Sequence, residues 1–259
     1  PGGLNLVQFN ANPRQSRPAT STIPSARDQR AGIFNKTGML GISNSFILSD
    51  HWKMVTSFST SITGFKNPFI TNFEKRKEAN LGIRSKFVYE TKLPFPLQWV
   101  NGVEVQRGDY TIDSSGNNKG VSDGKMVRDL VVARQQFFFS QLSAHPFEFI
   151  QVQAGISVNS FNYAIERTVG LPASGNKKIA FDAQVLPRFA LTFHPFKTVA
   201  FYGQLSKGYS SPTLAEIRPS AGGLYAGLQA EYGLNKELGM KLSADQGRFF
   251  FSATVFQFD

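Results

Sequence analysis

Strand-like segments in this sequence are joined alternately by short turns and by long polar joints, and this regular alternation limits the fold more than any other feature. The short joints are residues 49–51, 92–96, 143–146, 194–196 and 244–247, and the long ones are 66–77, 108–125, 164–178 and 211–235. A soluble sandwich has no reason to place every short turn on one side. A transmembrane β-barrel does so, because its periplasmic turns are short and its extracellular loops are long.

The segments between the joints predict ten long antiparallel strands. They lie at residues 33–48, 53–65, 79–91, 97–107, 126–142, 147–163, 179–193, 198–209, 236–243 and 248–258. Most exceed the ~9–11 residues with which a tilted strand crosses a bilayer, whereas strands of soluble domains usually have ~5–6. In 79–91 the odd positions are mainly apolar and the even ones mainly polar, as a strand with two different faces requires. Pro187 lacks an amide donor and predicts a bulge or an interrupted pairing inside the seventh strand.

Alternation alone does not separate a barrel from a soluble sandwich, since strands of both have one apolar and one polar face. Aromatic residues near the predicted strand ends favour the barrel, because aromatic girdles mark the two interfaces of a membrane. They are Trp52, Phe65, Phe95, Trp99, Phe147, Phe193 and Phe196. We therefore expect an all-β fold with apolar side chains facing lipid and polar side chains facing a lumen.

The composition limits the chemistry of the chain. Of its 259 residues 41% are hydrophobic, the mean hydropathy is −0.20, and no run of about 18 apolar residues predicts a membrane-spanning helix. The absence of cysteine excludes disulfides, thiolate catalysis and cysteine-ligated metal sites. The net charge of +10 favours solubility, or attraction of anionic ligands and lipid headgroups. It is not clustered as a nucleic-acid surface would be, so no nucleic-acid partner is expected.

The two ends of the chain suggest its organisation. Residues 1–30 are rich in Pro, Asn, Ser, Gln and Arg without a sustained period, and we expect them to be an extracellular loop segment. Residues 31–259 would form the barrel part. Because the sequence begins at Pro1 and stops at Asp259 directly after a strand-like run, we expect an internal piece of a longer protein.

Two motifs lie late in the sequence. The first comprises Gly208, Tyr209, Pro212, Leu214 and Glu216, and the second comprises Glu237, Gly239 and Lys241. They resemble motifs of TonB-dependent outer-membrane receptors, in which a strand ends in Gly-aromatic-x-x-Pro-x-Leu-x-Glu, a loop follows, and the next strand opens with Glu-Leu-Gly-x-Lys. Residues 1–4, 10–13 and 65–69 are also similar to siderophore receptors of this family, the ferric-citrate type especially.

The resemblance implies a 22-stranded barrel in the outer membrane of a Gram-negative bacterium, of which this chain supplies about ten strands. It implies import of a ferric siderophore or similar iron chelate, driven by an inner-membrane TonB energy transducer. The expected partners are outer-membrane lipid, the chelate, TonB and the receptor's own N-terminal plug domain, which lies outside this sequence together with the energy-coupling segment. No cofactor is implied.

The first motif has two interpretations. In a purely structural turn, Gly208 would adopt a backbone conformation unfavourable for other residues and Pro212 would end strand pairing. The alternative is direct contact with the transported ligand.

Neither catalysis nor a metal site is expected. All three histidines, His51, His145 and His194, fall in short joints, where Pro and aromatic neighbours already account for turns. Separate turns around a barrel rim would not converge on one metal ion, and they lie opposite the long loops where a barrel hydrolase would act. The run 220–223 is glycine-rich but lacks the Lys-Ser/Thr ending of a phosphate-binding loop.

Binding is the chemistry that remains. We expect polar side chains on the upper halves of the strands to face inward and line the vestibule, namely Arg84, Lys86, Arg128, Arg134, Asp182 and Gln184. One interpretation is salt bridging across the lumen or to a plug, since interior charges need partners. The other is that the arginines hold carboxylate or catecholate oxygens of an iron chelate, which suit bidentate capture.

Two further functions stay open at this stage. A passive outer-membrane porin would share the barrel but lack a plug and any dependence on the proton-motive force. A soluble β-domain for adhesion or glycan binding would share the alternation but remain monodisperse without detergent.

Overall fold

All ten predicted strands are present, and they form one antiparallel sheet whose spatial order is the chain order. The structure is a computed structural model that describes residues 3–92, 94–170, 176–219, 223–244 and 247–259. The strands are β1 (Phe34–Ile47), β2 (Trp52–Pro68), β3 (Asn72–Thr91), β4 (Leu97–Asn118), β5 (Val121–Phe147), β6 (Ile150–Val169), β7 (Lys177–Phe196), β8 (Val199–Ser210), β9 (Glu231–Ala244) and β10 (Phe249–Phe258). Two short helices, α1 (Leu6–Ala11) and α2 (Leu214–Ile217), complete the fold. Within the described ranges, no helix has the length and apolarity needed to cross a membrane.

The strands run farther on one side than the sequence predicts. The predicted joint 66–77 is mostly strand, with only residues 69–71 between β2 and β3, and the joint 108–125 reduces to residues 119–120 between β4 and β5. These polar stretches have no apolar alternation, but their backbones continue the hydrogen-bonded ladder of the hairpins. The predicted short joints 143–146 and 194–196 are likewise strand, and the connections fall at 148–149 and 197–198.

The pairing register defines two faces of the sheet. The outer face carries exposed apolar side chains, which we call the apolar belt. They include Leu81, Ile83, Val103, Val105, Phe138, Leu142, Phe189 and Leu205. The opposite, inner face carries mostly polar side chains together with a buried cluster beneath the β8–β9 loop. An extensive exposed apolar face is unfavourable in water and is the surface that a barrel presents to lipid.

Part of the predicted aromatic girdle is found on the outer face near the short turns. Trp52 packs against Tyr89, with ring centroids 5.0 Å apart, and against Trp99 at 6.4 Å. These rings lie where amphipathic aromatics mark a membrane interface. The assignment of Phe65 to the girdle is wrong, because Phe65 pairs with Arg76 on the inner face, close to the opposite end of the hairpin.

The interrupted pairing predicted at Pro187 is confirmed on one side of β7. The β7–β8 ladder stops at Arg188, which pairs with Ser206, while Pro187 itself stays opposite Ile156 of β6. The register shift against β6 lies elsewhere, between Phe181 and Gln184. Beyond Arg188 the sheet therefore separates between β7 and β8.

The N-terminal segment lies against the tips of two hairpins and is not entirely loop. Asn5 caps α1 through a capping box with Gln8, which explains a short helix that periodicity did not predict. Farther along, the Asn117 side chain donates to the backbone oxygens of Gln29 (2.8 Å) and Phe69. One asparagine thus joins the N-terminal segment, the β2–β3 tip and the β4–β5 tip.

Candidate functional site

The loop between β8 and β9 folds back onto the inner face of the sheet, near the ends of the long hairpins. Thr213 and Glu216 form a capping box that starts α2, and Pro212 precedes it just after β8 ends. Ile217 of this helix has no exposed surface and packs with Leu214 onto the inner-face cluster. The cluster consists of Ile112, Val131, Ala133, Tyr163, Ile165, Ile179 and Phe181. The loop therefore covers part of the inner face of the sheet.

A buried ion network fixes this loop to four strands. Arg218 follows α2 and donates through Nε to Asp129 of β5, through Nη1 to Glu74 of β3 at 3.4 Å, and through Nη2 to Ser114 of β4 at 3.0 Å. Asp129 also accepts from Arg167 of β6, at 2.8 and 3.2 Å. All five residues are at least 94% buried. Buried charges are retained only when paired and hydrogen-bonded in this way.

Asp129 keeps its charge despite burial. It lies beyond Arg134, toward the hairpin tip, and so outside the apolar belt formed on β5 by Phe138 and Leu142. Burial alone would raise its pKa, but hydrogen bonds from Arg167 and Arg218 outweigh burial and hold the pKa below the usual value of 3.8. Sequence reasoning missed this network. The only signal was an acidic residue on β5, and its loop partner is 89 positions away.

A cavity of about 570 Å³ opens on the inner face beside the loop. Its lining combines aromatic rings with polar groups, and includes Tyr110, Phe161, Tyr163, Arg76, Asn80 and Gln135. The Tyr110 hydroxyl donates to Asn80 Oδ1 at 2.9 Å, and the rings of Phe161 and Tyr163 meet edge to face at 4.7 Å. The aromatic and neutral polar side chains of this lining suit a flat or apolar group, whereas Arg76 is already paired with Glu74 at 2.6 Å.

The Glu-Leu-Gly-x-Lys motif encloses a single aromatic ring. Its alternate residues Glu237, Gly239 and Lys241 share the inner face of β9 opposite Tyr202 of β8. The Tyr202 hydroxyl donates to Glu237 at 2.7 Å, and Lys241 Nζ lies 5.2 Å from the ring centroid. A Cβ at Gly239 would lie 2.4 Å from the ring, so any larger residue there would force the Tyr202 ring to shift. The spacing of the motif thus follows from packing around Tyr202.

The Gly-aromatic-x-x-Pro-x-Leu-x-Glu motif ends β8 and starts the folded-back loop. The role expected for Gly208 is wrong: Gly208 is an ordinary strand residue opposite Gly233, without positive φ, and an added Cβ would meet only van der Waals contacts at 3.8 Å. Tyr209 pairs with Tyr232 in the last rungs before the loop. Hydrogen bonds from the Thr213 backbone and hydroxyl lower the pKa of Glu216 below its ordinary 4.5.

Three of the six predicted vestibule residues lie on the inner face. Arg84 is half-exposed, has its Nε 3.6 Å from Glu104 and lies over the Phe139 ring at 5.2 Å. Lys86 is two residues along on the same face, opposite Gly102. Gln184 pairs with Asn159 of β6, and both residues lie on the inner face of the sheet.

The other three are placed differently. Arg128 and Arg134 lie on the outer face, opposite Asp113 and Arg107, so their predicted inward orientation is wrong. The sequence misled because consecutive aromatics at 137–139 obscure which positions of β5 face inward. Asp182 is exposed at the register shift of β7 and is not brought together with Arg84.

The histidines do not converge. The ring of His51 interacts with the Glu90 carbonyl oxygen at 2.9 Å through Nδ1, and the backbone amides of His145 and His194 donate to Pro96 and Phe149. Across the described residues, no group of three His, Asp or Glu side chains could hold a metal ion. The glycine-rich run 220–223 lies outside the described residues, apart from Gly223.

Comparison with solved structures shows that the sheet is similar to parts of outer-membrane receptors and transporters of low sequence identity. The ferric citrate transporter FecA in its unliganded form superimposes with a TM-score of 0.73 over 99% of this chain at 11% identity. The alcaligin outer-membrane receptor FauA from Bordetella pertussis gives 0.65 over 87% at 15% identity, and FpvA of P. aeruginosa bound to heterologous pyoverdine gives 0.68 over 86% at 14%. The chain spans 38%, 37% and 32% of the lengths of these three proteins.

A comparison with curated protein sequences gives no significant match. The family model for TonB dependent receptor-like β-barrels, in contrast, matches residues 2–259. The predicted all-β fold and the resemblance drawn from the two late motifs are both confirmed. The chain belongs to the TonB-dependent receptor β-barrel family.

Proposed function

We propose that this chain is part of the barrel of a Gram-negative outer-membrane receptor that imports a ferric siderophore or a similar iron chelate by energy-coupled transport. The main support for this proposal is that 99% of the chain superimposes on a ferric citrate transporter with a TM-score of 0.73. The other two proteins are an alcaligin outer-membrane receptor and FpvA in a complex with pyoverdine and iron, and the iron-containing complex supports an iron chelate as the cargo. In this arrangement residues 1–30 are an extracellular loop segment and residues 31–259 are barrel.

The two faces of the sheet support this location. The outer face has the exposed apolar belt and the Trp52–Tyr89–Trp99 group, which a soluble adhesion domain would have to bury. The inner face has polar and charged residues and a cavity partly closed by the β8–β9 loop. A ligand entering from the hairpin ends would meet that cavity first.

Arg84 is the inward arginine best suited to hold the chelate. Its side chain is 51% exposed, and a weak contact of 3.6 Å to Glu104 leaves guanidinium donors free for another acceptor. The Phe139 ring supports the guanidinium plane from one side. Carboxylate or catecholate oxygens match this planar donor group, and Lys86 adds a second positive charge on the same strand face.

The inner face at the short-turn end suits a plug domain. It has a second cavity of about 870 Å³, lined by His51, Glu90, Gln98, Gln141 and Gln153 among others. These are hydrogen-bonding side chains, as expected of a wall that packs against a polar protein surface. We propose that the receptor's N-terminal plug occupies this level, and that the inner-membrane TonB transducer acts on the plug.

The test is uptake of radiolabelled ferric chelates by cells that carry the full-length gene, with and without an uncoupler. Energy-coupled import predicts uptake that stops when the proton-motive force is removed. Uptake at an unchanged rate in the presence of the uncoupler would instead indicate a passive porin. Arg84→Gln should reduce chelate binding by about tenfold or more, because it removes a charge-assisted contact. Arg134→Gln is the matched control, because that arginine faces outward and should leave chelate binding unchanged.

A further inference from the structure

A row of basic side chains follows the apolar belt around the outer face. On each strand we consider the charged outer-face residue that is nearest to the short-turn end. This residue is basic on β1 to β5 and again on β8 and β9. These residues are Lys36, Lys66, Lys77, Arg107, Arg134, Lys207 and Lys236. We call them, with Lys75, the basic row. Among β1–β9 only β6 and β7 break the pattern, with exposed Glu166 and Asp182.

Two pairs in the basic row place like charges directly opposite each other. Lys66 of β2 faces Lys75 of β3, and Arg107 of β4 faces Arg134 of β5. Directly opposed side chains have Cβ atoms only about 4.5–5.5 Å apart, so like charges there destabilise the sheet. All four of these residues are exposed. An anion outside the protein that lies over these pairs would relieve the repulsion between their like charges.

The protein itself neutralises only part of the row. Arg107 has a salt bridge to Asp109 at 2.7 Å, and Lys236 has one to Asp259 at 2.5 Å. Within the described part of the chain, no carboxylate lies within salt-bridge distance of Lys66 or Lys75.

The ammonium groups of Lys66 and Lys75 instead lie beside aromatic rings. Each has its Nζ 5.5 Å from the centroid of Phe73, and Lys66 also lies 5.8 Å from Phe34. Rings of this kind hold the ammonium groups in place without neutralising their charge. The pair therefore remains available to an external anion.

We propose that the basic row binds the phosphate-bearing headgroups of the lipid leaflet at the hairpin end of the barrel. The row lies directly beyond the apolar belt, at the depth where headgroups meet acyl chains. Charge complementarity identifies the occupant: many anions in one plane at the edge of a hydrophobic layer are supplied by an anionic leaflet. The proposal rests on the membrane location given under Proposed function, and adds that the receptor selects anionic lipid.

The test is the lipid selectivity of the full-length protein carrying this chain, reconstituted in phosphatidylcholine vesicles with a small fraction of spin-labelled lipid. The bound fraction of spin-labelled phosphatidylglycerol is compared with that of spin-labelled phosphatidylcholine. The intact protein should prefer phosphatidylglycerol, and the preference should weaken with added salt. Lys66→Gln with Lys75→Gln should lower the preference by about fivefold or more, since a single Lys near an anionic surface contributes about that factor.

Controls separate the basic row from general charge and from folding. Lys119→Gln with Lys125→Gln removes the same charge at the β4–β5 hairpin tip and should leave the preference unchanged. Lys66→Arg with Lys75→Arg should restore it, and an unchanged Tm of the Gln variant in phosphatidylcholine shows that it folds.

Three results would overturn the proposal. They are no preference in the intact protein, an equal loss in the hairpin-tip control, or full displacement of the lipid by inorganic phosphate at constant ionic strength, which would indicate a soluble-anion site. Chelate uptake is measured separately, so loss of import with intact lipid selectivity would reject the transport proposal alone. Loss of selectivity with intact import would reject this one.

Discussion

Replacing Asp129 by asparagine should release the β8–β9 loop from the inner face. The side chain has no exposed surface and accepts hydrogen bonds from two arginines that are themselves almost fully buried. Asn is nearly isosteric, so the change removes charge while preserving volume. It leaves Arg167 and Arg218 as buried cations without that counter-charge. Breaking a buried pair in this way costs about 3–5 kcal/mol.

The free-energy cost of this substitution can be measured as a faster rate of hydrogen exchange in the loop. The Arg218 amide donates to Leu214 and the Tyr225 amide donates to Ile217, both at 2.8 Å, so both amides are protected only while the loop is folded. A cost of about 3–5 kcal/mol corresponds to faster exchange by roughly 150- to 5,000-fold at these two amides. Hydrogen–deuterium exchange of the full-length protein in lipid, read by mass spectrometry, measures it directly.

Asp113→Asn is the matched control on the neighbouring strand. Asp113 also has a bidentate arginine partner, Arg128, at 2.7 and 3.1 Å, but both side chains are partly exposed and face outward. Pairs of that kind contribute about 0–1 kcal/mol, so the loop amides should change by about fivefold at most. Equal effects of the two substitutions, or unchanged exchange at Arg218 after Asp129→Asn, would refute the role assigned to burial.

Three further substitutions test local packing. Gly239→Ala should destabilise the barrel by about 1–3 kcal/mol because its Cβ would overlap the Tyr202 ring, and the added change Tyr202→Ala should recover part of the loss of Tm. Glu216 has a lowered pKa, so its contribution to the α2 cap is present above pH 4.5 and is lost as the pH falls through the folded value; in Glu216→Gln, loop exchange corrected for intrinsic rates should lose this pH dependence. Asn117→Ala removes the donor to the Gln29 carbonyl oxygen and should speed proteolysis of the N-terminal segment, whereas unchanged cleavage would contradict that anchoring role.

The strands could be predicted from the sequence because the alternation of apolar and polar side chains involves residues that are close together in the sequence. A two-residue period shows which residues share a face, so Arg84 could be placed on the face opposite the apolar Leu81, Ile83 and Phe87. On β5 the same reasoning failed for Arg134, because Phe137 and Phe139 face inward while Phe138 faces outward. When both faces of a strand carry aromatics, the period no longer identifies the lipid side, and only the pairing register does.

The site could not be predicted because it depends on contacts distant in sequence. Arg218 reaches Glu74, Ser114 and Asp129 only after the β8–β9 loop folds inward, and no periodicity encodes that path. The late motif was recognised as a pattern, yet its cause, the ring of Tyr202, lies outside it.

Positively charged side chains have two different roles in this sheet. On the inner face Arg167 and Arg218 are buried and neutralised by Asp129, so they fix structure and are not available to a ligand. On the outer face Lys66 and Lys75 are exposed and have no such partner in the described chain, so their charge remains available. A net charge of +10 therefore does not by itself indicate an anion-binding lumen. Lys66 and Lys75 lie directly beyond the apolar belt, so the proposed headgroup contact uses charge that the sheet itself leaves without a carboxylate partner.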